Sequence, residues 1–551
     1  MAANNQKWWQ KTIVYQIYPK SFQDTTGNGV GDLRGIINRL DYLQALGVGA
    51  IWLTPIYPSP MVDNGYDISD YGSIDPLYGT EADFDELVEE AHIRGIRIVM
   101  DLVYNHSSDQ HKWFLESTAS RDNPKSDWYI WRDAVDGKPP TNWRSIFGGS
   151  AWQWCEERQQ YYLHTFAIQQ PDLNWENPAV RKALYDSARR WLDRGVGGFR
   201  IDAITYIKKP ARFIDGTPDG ADGMVNVHTM TANTPGILDF LREFRREVVT
   251  GRDIFTVGEA NGVPANELGD WVGANGVFDM IFEFEHLHLN LKDEIWCRPR
   301  NWKLTELKKT FNDSQQATAT NGWCPIFFEN HDLPRAVNKF FAEGADPIKA
   351  AKALATVLMT LRGTPFIYEG QELGMTNADW ASIDDYNDIQ TRGQYDFALK
   401  EGFTPAEALA FMNASSRDNA RTPMQWSAAP NAGFSNVQPW LPVNGNYKMI
   451  NAAAEENDPA SVLNWYRELS EFRRAHEELL SGTFNELIPK DEKIFAFERA
   501  VGNKKLITAV NFSLEEAKLP KKFEGLKIVL SSELNPQPLS LKPLEARVCR
   551  N

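Results

Sequence analysis

Eight short apolar runs, each separated from the next by helical or loop sequence, limit what this chain can become. They are TIVYQIY (12–18), VGAIWLT (48–54), IRIVMDLV (96–103), GGFRIDAI (197–204), IFTVGE (254–259), VFDMIFEF (277–284), GWCPIFF (322–328) and GTPFIYEG (363–370). β-Branched and aromatic residues bounded by turn formers mark them as strands. Between the first two, Leu33, Ile36, Ile37, Leu40, Leu43 and Leu46 recur at helical spacing, and EADFDELVEEAHIRG before the third has the same character. Strands alternating with helical crossovers predict an α/β fold, a (β/α)8 TIM barrel.

Two departures from the alternation predict further parts. About 90 residues separate the third run from the fourth, far more than one crossover helix needs. That stretch is rich in Trp, Pro, Asn and Gly, as in KPPTNWRSIFGGSAWQW, and reads as a loop-rich insertion. Beyond residue 480 the chain changes to short alternating runs such as KIFAFER, KLITAVNF and LKIVLSS, the pattern of an antiparallel β-sandwich. The expected organisation is therefore barrel over 1–103, inserted subdomain over 104–174, barrel again over 175–479, and a C-terminal β-sandwich domain over 480–551.

The fourth run carries a contradiction. Arg200 and Asp202 lie two apart, so on a strand they share one face while Phe199 and Ile201 share the other. Buried charge is costly unless paired. A structural Arg–Asp pair would explain one such strand, but neighbouring runs do the same at their carboxyl ends, where barrel enzymes keep their chemistry. The third ends in DLVYNH (Asp101, Asn105, His106), the fifth in TVGEAN (Glu259), and the seventh runs into FFENHDLPR (His331, Asp332). Three carboxylates, Asp202, Glu259 and Asp332, would then face one cleft. Glycosidic cleavage with retention needs two carboxyl groups roughly 5 Å apart, one nucleophile and one acid. Arg200 is expected to keep Asp202 ionised, and Glu259 to sit out of water beside other carboxylates. A third carboxylate, with histidines donating to sugar hydroxyls, would favour an oxocarbenium-like transition state.

Composition narrows the field. A net charge of −16 argues against nucleic-acid binding. The 19 Trp and 18 Tyr supply flat amphipathic rings that suit sugar clefts as well as cores. The four cysteines, Cys155, Cys297, Cys324 and Cys549, have neither zinc nor disulfide-framework spacing, which fits a reducing compartment. MAANNQKWWQKT lacks the apolar core of a signal peptide, and no apolar run is long enough to span a membrane, so a cytoplasmic location is expected.

DLVYNH, GFRIDAI, TVGEAN and ENHD, in this order, resemble the four signature regions of the α-amylase superfamily of glycoside hydrolases (family 13). The resemblance implies Asp202 as nucleophile, Glu259 as general acid/base and Asp332 as transition-state stabiliser, with Arg200, His106 and His331 around the first glucose. QPDLN (170–174), DNGYDISDY (63–71) and SRDNARTPMQW (416–426) resemble the oligo-1,6-glucosidase/α-glucosidase subgroup. There the residues matching Asp63 and Arg421 close the pocket around the non-reducing-end glucose and Tyr66 stacks on its ring. Phe166 and Gln170 complete the expected substrate-binding set. A closed pocket implies exo-action on short oligosaccharides. Members preferring α-1,6 bonds usually carry Val after the nucleophile; Ala203 stands here, as in α-1,4-preferring members.

Asp24-Thr-Thr-Gly-Asn-Gly-Val-Gly-Asp32 resembles a calcium loop, with Thr26 and Asn28 in place of two ligands and one charge fewer for a hard cation. Asp24, Asn28 and Asp32 are the candidate ligands for Ca2+, against a plain glycine-rich turn; no cofactor is required. The function expected is a retaining exo-α-glucosidase, with transglucosylation possible. The alternatives are a sucrose isomerase or trehalose-6-phosphate hydrolase on the same fold, or a non-catalytic relative of the transporter heavy chains. The last would lack the carboxylates and carry an anchor. The expected partner is a small oligosaccharide, not a membrane or a nucleic acid, and the expected state a monomer or weak oligomer.

Overall fold

The computed structural model describes residues 6–273 and 275–550. All eight runs form strands: β1 (Val14–Ile17), β2 (Ala50–Leu53), β3 (Arg97–Val103), β4 (Gly198–Asp202), β5 (Phe255–Glu259), β6 (Met280–Phe282), β7 (Pro325–Ile326) and β8 (Thr364–Tyr368). They lie side by side in the order β6-β5-β4-β3-β2-β1-β8-β7, every pair parallel. This is the (β/α)8 barrel. Its strands are buried except at Arg97 and Glu259, which are partly exposed at the two ends, because helices cover the outer face and side chains fill the interior. Gly198 permits part of this closeness: a Cβ there would lie 2.4 Å from the Phe255 carbonyl oxygen on the adjacent strand.

Register sets up the site. Asp101 on β3 pairs with Arg200 on β4, which pairs in turn with Val257 on β5. Asp202 and Glu259 each stand two residues further toward the carboxyl ends.

Between β3 and β4 the chain makes a three-stranded antiparallel sheet from Trp131–Arg132, Gln160–Leu163 and Trp152–Cys155. Its small core of Ile130, Trp143, Ala151, Trp152 and Leu163 is completed by Val225 and Val227. Those two valines come from a second long excursion, after β4, which the periodicity did not reveal. The strand Val225–Asn226 pairs with Trp143–Arg144, tying the two excursions together over the barrel mouth.

The C-terminal part is a five-stranded antiparallel sheet: β9 (Thr483–Glu486), β10 (Ile494–Val501), β11 (Lys504–Asn511), β12 (Lys527–Ser531) and β13 (Ala546–Arg550), ordered β9-β10-β11-β13-β12. Strand alternation gives it two apolar faces. Phe495, Phe497, Leu506, Val510 and Val548 join the barrel core, whereas Ile494, Ala496, Ile507, Ala509 and Cys549 pack under the pair Ala517–Lys518 and Ser540–Leu541. The second layer is thus only two short strands. All four cysteines are free and buried, and among the described residues no helix is long and apolar enough to cross a membrane.

Candidate active site

Arg200 organises the floor of the site. Its Nη1 donates to both oxygens of Asp101 (2.8 and 2.9 Å) and to Asp202 Oδ1 (2.7 Å), while Nη2 donates to Glu259 Oε2 (2.7 Å). One guanidinium therefore serves three carboxylates on three adjacent strands. Arg200 was expected to keep Asp202 ionised; it does pair with Asp202, but it shares its charge with two further carboxylates. Burial, with Glu259, Asp101 and Asp332 nearby, pushes the Asp202 carboxyl up against the pull of Arg200. Asp101 is likewise raised by burial, to about 6, despite Arg200. Asp101 also accepts from Tyr66 Oη (2.9 Å) and Trp52 Nε1 (3.2 Å), so its role is to seat the arginine.

Asp202 and Glu259 each keep one carboxyl oxygen unoccupied by the described residues. Asp202 Oδ1 is held by Arg200; Glu259 Oε2 is held by Arg200 and by the Ala203 N–H (2.9 Å). Asp202 Oδ2 and Glu259 Oε1 accept no hydrogen bond among the described residues, and both side chains line the same cavity. Two carboxyl groups on the two terminal nitrogens of one guanidinium are close neighbours, as double displacement requires.

Asp332 has a different environment. Its Oδ1 accepts from Arg417 Nη1 (3.1 Å) and Arg421 Nη2 (2.9 Å), and Oδ2 lies 3.0 Å from His331 Nε2. Burial would raise this carboxyl, but His331 and the two arginines outweigh it and hold Asp332 below the usual range. Gln16 Nε2, which can only donate, lies 2.7 Å from His331 Nδ1; the Nε2 nitrogen then carries the proton, and it makes no hydrogen bond within the described residues. Burial keeps His331 neutral, and Tyr66 stacks on it at 5.2 Å with 8° between planes. His106 is buried and held neutral down to about pH 4. Its Nε2 lies 3.2 Å from the Tyr66 carbonyl, and its ring is 5.2 Å from Phe166.

The inner end of the cavity is closed by an ion-pair lattice, but not by the arginine expected. Arg417 Nη2 donates to Asp63 (3.0 Å), and the same guanidinium reaches Asp332 and Asp388. Arg421 lies behind it, giving Nε to the His331 carbonyl (2.8 Å), and does not line the cavity. The assignment of pocket closure to Arg421 is therefore corrected to Arg417. SRDNARTPMQW holds two arginines four apart, and only the docking of that short helix decides which one faces the cavity. Gln170 is also out of the lining: fully buried, it donates to Asp63 (3.0 Å) and so positions the carboxylate. Burial raises Asp63 to about 6 in spite of Arg417. An Asp63 that accepts sugar hydroxyls must be ionised, so kcat/KM is expected to fall as pH drops below about 6. A pH profile of the native enzyme and of Asp63→Asn checks this: the variant should lose the part of that limb owed to Asp63 and keep the part owed to Asp202, whose carboxyl burial also raises.

The cavity holds about 600 Å3, within the range of small-ligand sites. Asp63, Tyr66, His106, Phe166, Asp202, Glu259, Asp332 and Arg417 line its inner part, with Phe147 against Arg417 and Phe166; Tyr206, His228, Phe284, Glu294 and Gln390 line the rest. Phe147 and these last five were not legible, because they come from the two excursions and from loops after β6 and β8.

Ala203 lines the cavity in the left-handed region, at φ 45°. A β-branched side chain there adds strain of about 1–3 kcal/mol. Ala203→Val is thus expected to lower the melting temperature as well as the maltose-to-isomaltose ratio of kcat/KM, the latter about 10-fold or more. An unchanged ratio would remove Ala203 as the linkage gate.

In the glycine-rich loop, Asp24 accepts from the amides of Thr26, Gly27 and Gly29 and from Ser435 Oγ, and Asp32 accepts from those of Thr25 and Gly35. Asn28 Oδ1 accepts from Val30 N–H. These oxygens face donors rather than each other, and no group of three or more His, Cys, Asp or Glu that could hold a metal occurs among the described residues.

Paired carboxylates at the strand ends of a parallel barrel, facing a cavity of this size, define a glycoside hydrolase. The chain belongs to the alpha-amylase family: residues 16–482 match its catalytic domain. It is 46% identical over 508 residues to the oligo-1,6-glucosidase of Parageobacillus thermoglucosidasius, covering 92% of this chain and 90% of that one. It is 42% identical over 563 residues to the trehalose-6-phosphate hydrolase of Bacillus subtilis, covering 100% and 99%. The crystal structure of the isomaltulose synthase from Protaminobacter rubrum superposes with a TM-score of 0.94 at 40% identity, covering 99% of each chain.

Proposed function

We propose that this glycoside hydrolase is a retaining, exo-acting α-glucosidase that releases glucose from the non-reducing end of short α-glucosides. The observation that supports this most is the closed inner wall, where Arg417 joins Asp63 to Asp332 and leaves room for one terminal sugar. In this reading Asp202 Oδ2 attacks the anomeric carbon and forms a glucosyl ester. Glu259 Oε1 delivers a proton to the departing oxygen, then takes one from water in the second step. Asp332, held ionised, and the neutral donors His106 and His331 bind hydroxyls of the same glucose and favour charge developing at its ring. The reaction so written uses only side chains of this chain.

The outer wall argues against a phosphorylated second sugar. Asp219, Asp293 and Glu294 line it, and Arg417, already engaged by three carboxylates, is the one Lys or Arg in the described lining. Free buried thiols accord with the cytoplasm as the site of action. Product analysis with maltose, isomaltose, sucrose and trehalose 6-phosphate tests the reading. Glucose from the first two is expected; isomerised sucrose as the main product, or preference for the phosphate ester, would overturn it.

A further inference from the structure

A two-residue hairpin borders the outer cavity in a conformation its sequence does not favour. The strands Leu291–Lys292 and Ile295–Pro299 are antiparallel, and Lys292 pairs with Ile295, so Asp293 and Glu294 alone make the turn. Both have positive φ, 54° and 59°. Such a turn is best made by Asp-Gly or Asn-Gly, since only glycine enters the left-handed region without a Cβ penalty. This chain has Asp-Glu. Strain of this kind persists where the surroundings enforce it, and it points to use.

The strain places the Glu294 carboxylate. It lies 2.9 Å from His288 Nδ1 and 3.5 Å from Asn261 Nδ2, with 44% of its side chain exposed, and it lines the cavity. Burial opposes its ionisation, but His288 and, further off, His228 hold it down at about 2. His228 is itself fixed by Tyr206, whose Oη is 2.6 Å from its Nδ1. The result is an ionised acceptor, oriented by a histidine, on the wall beyond Asp202 and Glu259. A half-exposed contact between a carboxylate and a histidine stabilises a fold little.

We infer that the Asp293–Glu294 turn is the binding element for the second, leaving sugar: Glu294 accepts hydrogen bonds from that sugar's hydroxyls, and His288 fixes the carboxylate. The ligand class is an uncharged hexose. This rests on the α-glucosidase reading above.

The test compares isomaltose and maltose with α-glucosyl fluoride, which has no second sugar. In Glu294→Gln and Glu294→Gly, the ratio of kcat/KM on either disaccharide to that on the fluoride is expected to fall about 10-fold or more, the loss of a hydrogen bond to a charged group. Glu294→Gly converts the turn to Asp-Gly, so its melting temperature should equal or exceed the native value. An unchanged ratio overturns the inference, as does a lowered melting temperature with parallel losses on all three substrates. A native enzyme that cleaves none of the three instead overturns the α-glucosidase reading, and this inference falls with it.

Discussion

Asp202→Asn is expected to abolish turnover, lowering kcat by at least about 10^4-fold, as removal of a covalent nucleophile does. The protein should remain folded. Asn is isosteric and its Oδ1 can still accept from Arg200, which keeps Asp101 and Glu259 as partners. Burial disfavours the charged Asp202 carboxyl in the free enzyme, so its neutral replacement should leave the melting temperature unchanged or raise it. Steady-state assay on maltose and isomaltose, with thermal unfolding beside it, checks both halves. Activity within tenfold of native would take Asp202 out of its role.

Glu259→Gln is expected to separate substrates by leaving group. General acid catalysis contributes about 10^2–10^4-fold, and it matters most when the departing oxygen is a poor leaving group. The variant should therefore lose that much on disaccharides and much less in the glucosylation of an aryl α-glucoside with an acidic phenol. The geometry permits a clean comparison, because a Gln Oε1 can take the two hydrogen bonds that Arg200 and the Ala203 N–H now give to Glu259 Oε2. Burst kinetics on the aryl substrate would show the glucosyl ester accumulating, since its hydrolysis also needs the base. Equal losses on sugar and aryl leaving groups would count against an acid role.

Much of the barrel was legible because each strand is a local apolar signal and the crossovers carry a local helical period. Strand-end carboxylates were legible for the same reason: Asp101, Asp202 and Glu259 ride on recognisable strands, and parallel register brings their ends together. The outer cavity was not legible. Val225 and Val227 complete the core of an insertion whose other members lie near residue 150, and no period links them. The two arginines of SRDNARTPMQW show where local information stops: four residues apart on one helical face, they reach different depths.

The sequence by itself determined the parallel barrel, the interruption before the fourth strand and the three carboxylates at one rim, since hydrophobic periodicity and strand alternation act over a few residues. Tertiary structure alone decided how charge is shared among them. One guanidinium divided between Asp101, Asp202 and Glu259, Arg417 rather than Arg421 at the inner wall, and a strained Asp-Glu turn lining the cavity all depend on loops meeting across the barrel mouth. Electrostatic interactions and burial depend on distance in space, and that distance is set only when the strands close.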